Sequence, residues 1–124
     1  DGCEILVNLL PLTEQTTGIL NAELFGKLAE GACLINCARG PHLVDADLLE
    51  ALESGQIKQA TLDVFHIEPL PAEHQFWDHP AITVTPHVAS QIDAVTGGRI
   101  IAANLKTFEE TGTCADLADA KRGY

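Results

Sequence analysis

None of the ten glycines in this 124-residue chain stands two positions from another, so the Gly-x-Gly turn that cradles the phosphates of a dinucleotide is missing from it. Cations are scarce as well. Seven Lys and Arg face eighteen Asp and Glu, a formal net charge of −11, which argues against nucleic acid or an anionic membrane surface as partner, because basic patches hold both. No apolar run approaches the length of a membrane span, and no signal peptide is visible. The 46% of hydrophobic residues suffices for one core, in a chain too short for two ordinary domains. Opening almost directly on a strand and lacking the glycine turn, the chain is expected to be the C-terminal portion of a longer protein.

Only four cysteines are present, and their spacing excludes the usual uses. Cys33 and Cys37 fall within one strand, which separates their Cα atoms by roughly 13 Å. They can neither bridge each other nor share a zinc. Cys3 and Cys114 are isolated near the two ends, so buried free thiols in a reducing compartment, the cytoplasm, are expected, and no metal site.

What the chain does contain is a series of short apolar runs bounded by turn residues. Glu4 to Leu9, Ala32 to Cys37, Ala60 to Val64 and Ala81 to Thr85 read as strands buried on both faces. Between the second and third lies V-D-A-D-L-L-E-A-L-E-S-G, a helix with Asp45 suited to the N-cap, Val44 and Leu49 to a staple, and Gly55 to the stop. Asn21 to Leu28 gives a second helix in which Leu24, Phe25 and Leu28 share a face, although Gly26 interrupts it. Alternating strands and helices imply right-handed crossovers and a parallel sheet, an α/β fold.

In such a sheet the segments after Leu9, Cys37, Val64 and Thr85 all emerge at the carboxyl edge, where open α/β sheets bind ligands. Arg39, Glu68 and His87 lie there, a fixed cation, a carboxylate and an imidazole. Each has a bland reading alone: a surface arginine, a solvated loop glutamate, a structural histidine of the kind expected for His42, His66, His74 and His79. Together they suit a 2-oxo or 2-hydroxy acid. A guanidinium fork can hold a carboxylate and polarise the adjacent carbonyl, while an imidazolium gives a proton to the oxygen as hydride reaches carbon. A carboxylate on the other imidazole nitrogen fixes the tautomer and favours the charged form. Nothing in the trio stabilises a covalent intermediate, which argues against hydrolysis by a nucleophile.

N-C-A-R-G (Asn36 to Gly40), L-D-V-F-H-I-E-P-L (Leu62 to Leu70) and T-P-H-V-A-S (Thr85 to Ser90), preceded by L-P-L-T-E-Q-T (Leu10 to Thr16), resemble the D-2-hydroxyacid dehydrogenase family in order and spacing across nearly the whole chain. His42, the P-L-P-A-E-H-Q-F-W-D-H-P loop and the terminal R-G-Y are most similar to its glyoxylate/hydroxypyruvate reductase subgroup. The resemblance implies a Rossmann-type half-domain over 1–90, and over 91–124 a crossover helix and the tail of a substrate domain whose body is absent. It also implies that Arg39 binds the substrate carboxylate and carbonyl, that His87 exchanges the proton, and that Glu68 orients and charges His87. Asp63 would approach the nicotinamide carboxamide, with Cys37, Ala38, Arg39, His87 and Ala89 around that end and Leu10, Pro11 and Thr16 near the adenosine half. The cofactor expected is NAD(P), NADPH being favoured in the subgroup, and the full-length protein is expected to be a homodimer. The 124 residues alone are expected to be inactive. A cofactor-sensing regulatory module or an interaction domain on the same fold is the alternative.

From about Ser90 to Thr111, Ile92, Val95, Ile100, Ile101, Leu105 and Phe108 suit a long helix of roughly 33 Å. Gly97 and Gly98 each cost it about 1 kcal/mol against alanine. Close packing of another backbone at the pair is the favoured explanation, over a helix that begins near Arg99.

Overall fold

A computed structural model of the chain describes residues 1–114 and 117–119. Two compact units are present, Asp1–Ala89 and Ser90–Tyr124. The first is an α/β unit with four parallel strands in the order of the sequence: β1 (Ile5–Asn8), β2 (Ala32–Asn36), β3 (Ile57–Leu62) and β4 (Ile82–Val84). Helix α1 (Ala22–Phe25) lies between β1 and β2, and α2 (Asp45–Ser54) between β2 and β3. No described helix is long and apolar enough to cross a membrane.

The pairing is in phase along one row, with Asn8 opposite Asn36, Asn36 opposite Leu62 and Leu62 opposite Val84. Side chains alternate across a strand, so the row and its i−2 neighbours Leu6, Leu34, Ala60 and Ile82 share a face. Leu34, Ala60, Leu62 and Ile82 pack there with Phe25, Leu43, Leu48 and Phe76 to form the core. The opposite face differs from the expected double burial, since Ile5 and Val7 are 59% and 48% exposed and Cys33 and Ile35 only half-buried. No element of this unit covers that side, and the alternation becomes visible in β1, an edge strand. The expected burial of the cysteines fails as well: Cys33, on that open face, is half-buried, as are Cys37 and Cys114, and Cys3 is exposed, all four being free thiols.

Local chemistry moves several element boundaries. β3 begins at Ile57, three residues earlier than expected, because fully buried Ile57 pairs with Ala32 before a register shift between Ala32 and Cys33. The first helix keeps a single α-turn. Asn21 Oδ1 accepts from Leu24 N, and Asp47 of α2 accepts from Ala22 N at 2.7 Å. Beyond Gly26 the bonds tighten to Lys27 N→Leu24 O and Leu28 N→Phe25 O, and the helix ends. Asp45 is the first residue of α2 rather than its cap, a position taken by Val44, because the Asp45 carboxylate faces His66 (3.5 Å) and His74 (3.8 Å) instead of its own helix. Gly55, left-handed at φ 81°, ends α2 as anticipated.

In the second unit α3 (Ala94–Thr111) is capped by Asp93, whose side chain accepts from the Thr96 N–H, and buries none of its residues. It runs through Gly97 and Gly98, which corrects the close-packing expectation. A Cβ on Gly98 would meet nothing within 4 Å, and one on Gly97 only the Ile92 side chain at 3.0 Å. The expected return of the tail from Cys114 to Tyr124, and the R-G-Y end, fall largely outside the described residues.

Gly40 carries the tightest contact in the first unit. A Cβ there would lie 2.0 Å from the Phe65 carbonyl carbon and 2.1 Å from its oxygen, so the chain after β2 rests directly on the chain after β3. Backbone cannot yield as a flexible side chain can. Gly40→Ala in the full-length protein should therefore lower unfolding stability by about 1–3 kcal/mol or more, measured by denaturant titration; an unchanged midpoint would refute the contact.

Candidate active site at the carboxyl edge

The residues that follow the paired row turn out at one end of the sheet, and the structure brings the expected trio into one neighbourhood there. His87 Nδ1 and Glu68 Oε2 are 2.7 Å apart. The other glutamate oxygen accepts from the Phe65 N–H at 2.9 Å, which ties the carboxylate to its own loop. The Glu68 carboxyl lies below the ordinary glutamate range, first through its bond to His87, then through Phe65 N–H, and further through the charges of His87 and Arg39, against a smaller opposing effect of burial. Both side chains remain open to solvent, at 44% for His87 and 36% for Glu68.

Arg39 is exposed, and its guanidinium donates back to the Ala38 carbonyl at 2.6 Å. Its backbone is held more firmly than its side chain. Asn36, wholly buried at the end of β2, donates to Arg39 O at 3.3 Å and accepts from Ala38 N and from the Asn8 amide at 3.0 Å. His42, also wholly buried, accepts the Arg39 N–H at Nδ1 (3.2 Å). Nδ1 also lies 3.1 Å from Arg39 O, and Nε2 lies 3.3 Å from the Pro11 carbonyl, so one imidazole joins the loops after β1 and β2.

Asp63 is 1% exposed and follows directly on β3. Its Oδ1 accepts from the Thr85 hydroxyl and from Val88 N, and its Oδ2 from Ala89 N at 2.9 Å. Burial opposes its ionisation, but these three donors and the charge of His87 prevail and hold the carboxyl below the usual range. Burial and the Asp63 charge push the nearby Cys37 thiol up. His87 itself sits at φ 53°, the one described non-glycine residue with positive φ.

Of the other expected site residues, Leu10 and Pro11 are exposed on the loop after β1, where the Thr16 hydroxyl donates to Pro11 O at 2.8 Å. Ala38 is buried and Ala89 exposed. Beside the His87–Glu68 pair is a cavity of about 470 Å³ with apolar walls from Phe65, Leu70, Trp77 and Val84. Asn8, Asn36, Gly40 and Thr85 were not singled out from the sequence. An asparagine closing each of two apolar runs, E-I-L-V-N and A-C-L-I-N, was the available signal.

Nicotinamide chemistry fits these residues on one side only. Exposed Leu9, Leu10 and Leu12 offer an apolar surface at the edge, and Asp63 Oδ2 keeps a lone pair after accepting from Ala89. No glycine turn for the phosphates occurs in the sequence.

Comparison with known proteins agrees with the fold. The family described as "D-isomer specific 2-hydroxyacid dehydrogenase, NAD binding domain" matches residues 1–89. A glyoxylate/hydroxypyruvate reductase A from Serratia proteamaculans is 53% identical over all 124 residues, which span 40% of that protein. Among solved structures, an NADPH-dependent glyoxylate/hydroxypyruvate reductase from Sinorhizobium meliloti in complex with NADP and sulfate aligns at a TM-score of 0.91 and 42% identity over 98% of this chain and 40% of that one. A D-isomer specific 2-hydroxyacid dehydrogenase from Xanthobacter autotrophicus in complex with NADPH and MES aligns at 0.90 and 44% identity, over 98% of this chain and 50% of that one.

The depressed Glu68 carboxyl has a consequence for stability. A lowered folded-state pKa contributes stability that is complete above the unfolded value, about 4.3 for glutamate, and is lost as pH falls through the folded value. Glu68→Gln should thus be less stable than wild type at pH 7, with the gap closing below about pH 4. Denaturant midpoints across pH measure this; a gap that widens in acid contradicts the pairing.

Proposed function

Because the chain belongs to the D-isomer specific 2-hydroxyacid dehydrogenase family, we propose that the protein carrying it reduces small 2-oxo acids, glyoxylate or hydroxypyruvate, with NAD(P)H, and NADPH in preference. The observation that carries this reading is the 2.7 Å His87–Glu68 pair at the carboxyl edge, with the charge of Arg39 acting on the same carboxylate. The identity to named reductases supports the substrate class, and NADPH or NADP in related structures supports the cofactor.

With Nδ1 engaged by Glu68, Nε2 is the nitrogen of His87 left to meet a substrate. It would give its proton to the carbonyl oxygen during reduction and take it back in the reverse direction. The bond to the Glu68 carboxylate fixes which nitrogen faces the substrate. Arg39 would turn from the Ala38 carbonyl to the substrate, one arm of its fork on the carboxylate and another on the carbonyl oxygen. The bound nicotinamide supplies the hydride that reaches C2. Asp63, Cys37, Ala38 and Ala89 would border the nicotinamide end, and Leu10, Pro11 and Thr16 the adenosine half. We assign 1–90 to the dinucleotide-binding domain and 91–124 to the crossover and substrate-domain tail. A homodimer in the cytoplasm completes the proposal, four free thiols suiting a reducing compartment.

Turnover of glyoxylate with NADPH by the full-length protein tests the reading; cofactor binding without turnover would favour a sensor. Arg39→Lys should remove most activity, on the order of tenfold or more in kcat/KM, while NADPH affinity stays nearly unchanged, because a point charge cannot replace the planar fork. Wild-type-like kinetics for this variant would sink the assignment.

The pH profile examines the pair directly. Reduction needs a charged His87, so Glu68→Gln should move the alkaline limb of kcat/KM for reduction to lower pH, and the acidic limb for oxidation in the same direction. A reductive limb that stays or moves to higher pH would show that Glu68 is not the charge partner.

A further inference from the structure

The backbone around His87 is held by a residue whose hydrogen bonds go to the flanking segment and not to the imidazole. We propose that Asp63 is a positioning residue whose buried carboxylate grips the Thr85–Ala89 segment on both sides of His87, keeping that residue left-handed and its imidazole facing Glu68. The proposal rests on the reading of His87 as the proton-exchanging group.

The three donors to Asp63 stand at positions −2, +1 and +2 from His87: the Thr85 hydroxyl, Val88 N (3.0 Å) and Ala89 N (2.9 Å). Thr85 is itself fixed to the sheet, its N–H donating to Leu62 O at 3.0 Å, and His87 N closes a tight turn onto Thr85 O at 3.1 Å across Pro86. The clamp therefore has a rigid base at the ends of β3 and β4. Between its jaws His87 adopts φ 53°, a conformation unfavourable for any residue with a Cβ. The imidazole bond to Glu68 reaches a different loop. Released, the backbone would relax towards φ near −60°, a rotation that carries the side chain away and breaks the 2.7 Å contact. An ionised carboxylate suits the position because all three neighbours are donors, whereas an amide would turn its NH2 against one of them. The charged or titratable groups around this centre are Glu68, His87, Arg39 and Cys37.

Two variants of the full-length protein test the clamp, Asp63→Asn and Thr85→Val. The first readout needs no turnover: the His87 Nδ1–H resonance in imidazole proton–nitrogen spectra, assigned by its loss in His87→Gln. It should be present in wild type, lost in Asp63→Asn and weakened in Thr85→Val. In kinetics Asp63→Asn should lower kcat by roughly tenfold or more and move the reductive alkaline limb to lower pH, and Thr85→Val, away from the cofactor residues, should move the limb the same way with NADPH affinity within about twofold. Glu68→Gln added to Asp63→Asn should cost less than Glu68→Gln alone, since the pair is already broken. An intact resonance and an unmoved limb in both variants would overturn the clamp and leave Asp63 with its place at the nicotinamide end alone. Should Asp63→Asn fail to fold, Thr85→Val decides, an unchanged resonance and profile overturning it. A wild-type protein without reductase activity whose resonance still disappears in Asp63→Asn would refute the functional reading and leave the clamp standing.

Discussion

In-phase parallel pairing through Asn8, Asn36, Leu62 and Val84 is the constraint on which the rest of the first unit depends. Each strand ends at this row, so the next residues all turn out at one edge, where a shift of one residue would redirect every side chain. Arg39 stands three residues beyond the row, Glu68 six and His87 three. Their proximity is a result of where pairing stops, and the polar groups that stop it are the ones that hold the loops. Asn8 and Asn36 occupy core positions and exchange their hydrogen-bonding groups with each other and with the departing backbone.

A division of labour follows between buried and exposed polar side chains. Asn36, His42 and Asp63 are at most 1% exposed, and every bond they make ends on backbone or on another residue of the same edge. Such groups are tolerated in a core only when satisfied, and no described buried side-chain polar atom lacks a partner. The same low-dielectric surroundings that would penalise an orphaned group make these bonds strong. Gly40 adds a contact of another kind, in which the absence of a side chain lets two loop backbones touch. Arg39 is thus fixed from three directions at its main chain while its guanidinium stays free to reorient.

Much of this was legible in the sequence, for reasons that also mark the limits. Four short apolar runs and the turn residues around them located the strands, and Gly55 located the end of α2, because burial and left-handed backbone leave direct signatures. The three motif residues could be placed at one edge by topology alone. One-sided cover was not legible, since an apolar run such as E-I-L-V-N reads the same whether its outer face is covered or open. Nor was the role of Asp45, which capping statistics place at the helix start but which turns to two histidines more than twenty residues away. Burial and those charges oppose each other on its carboxyl, with burial prevailing and raising it. The Gly97–Gly98 pair misled in the opposite direction, as the helix continues through it with open space at Gly98.

Exposure at the His87–Glu68 pair gives the buried framework its importance. An ion pair this open gains little from attraction alone, because water screens it and two side chains must be ordered to form it. Its geometry has to be supplied by groups that are not themselves in water, and the structure provides one for each partner: Phe65 N–H on Glu68, and the Asp63-held turn beneath His87. Water removed from this edge by a bound ligand would lower the local dielectric and strengthen the attraction several-fold without moving an atom. The pair is therefore set in place before it is strong, and its attraction grows when the edge is covered.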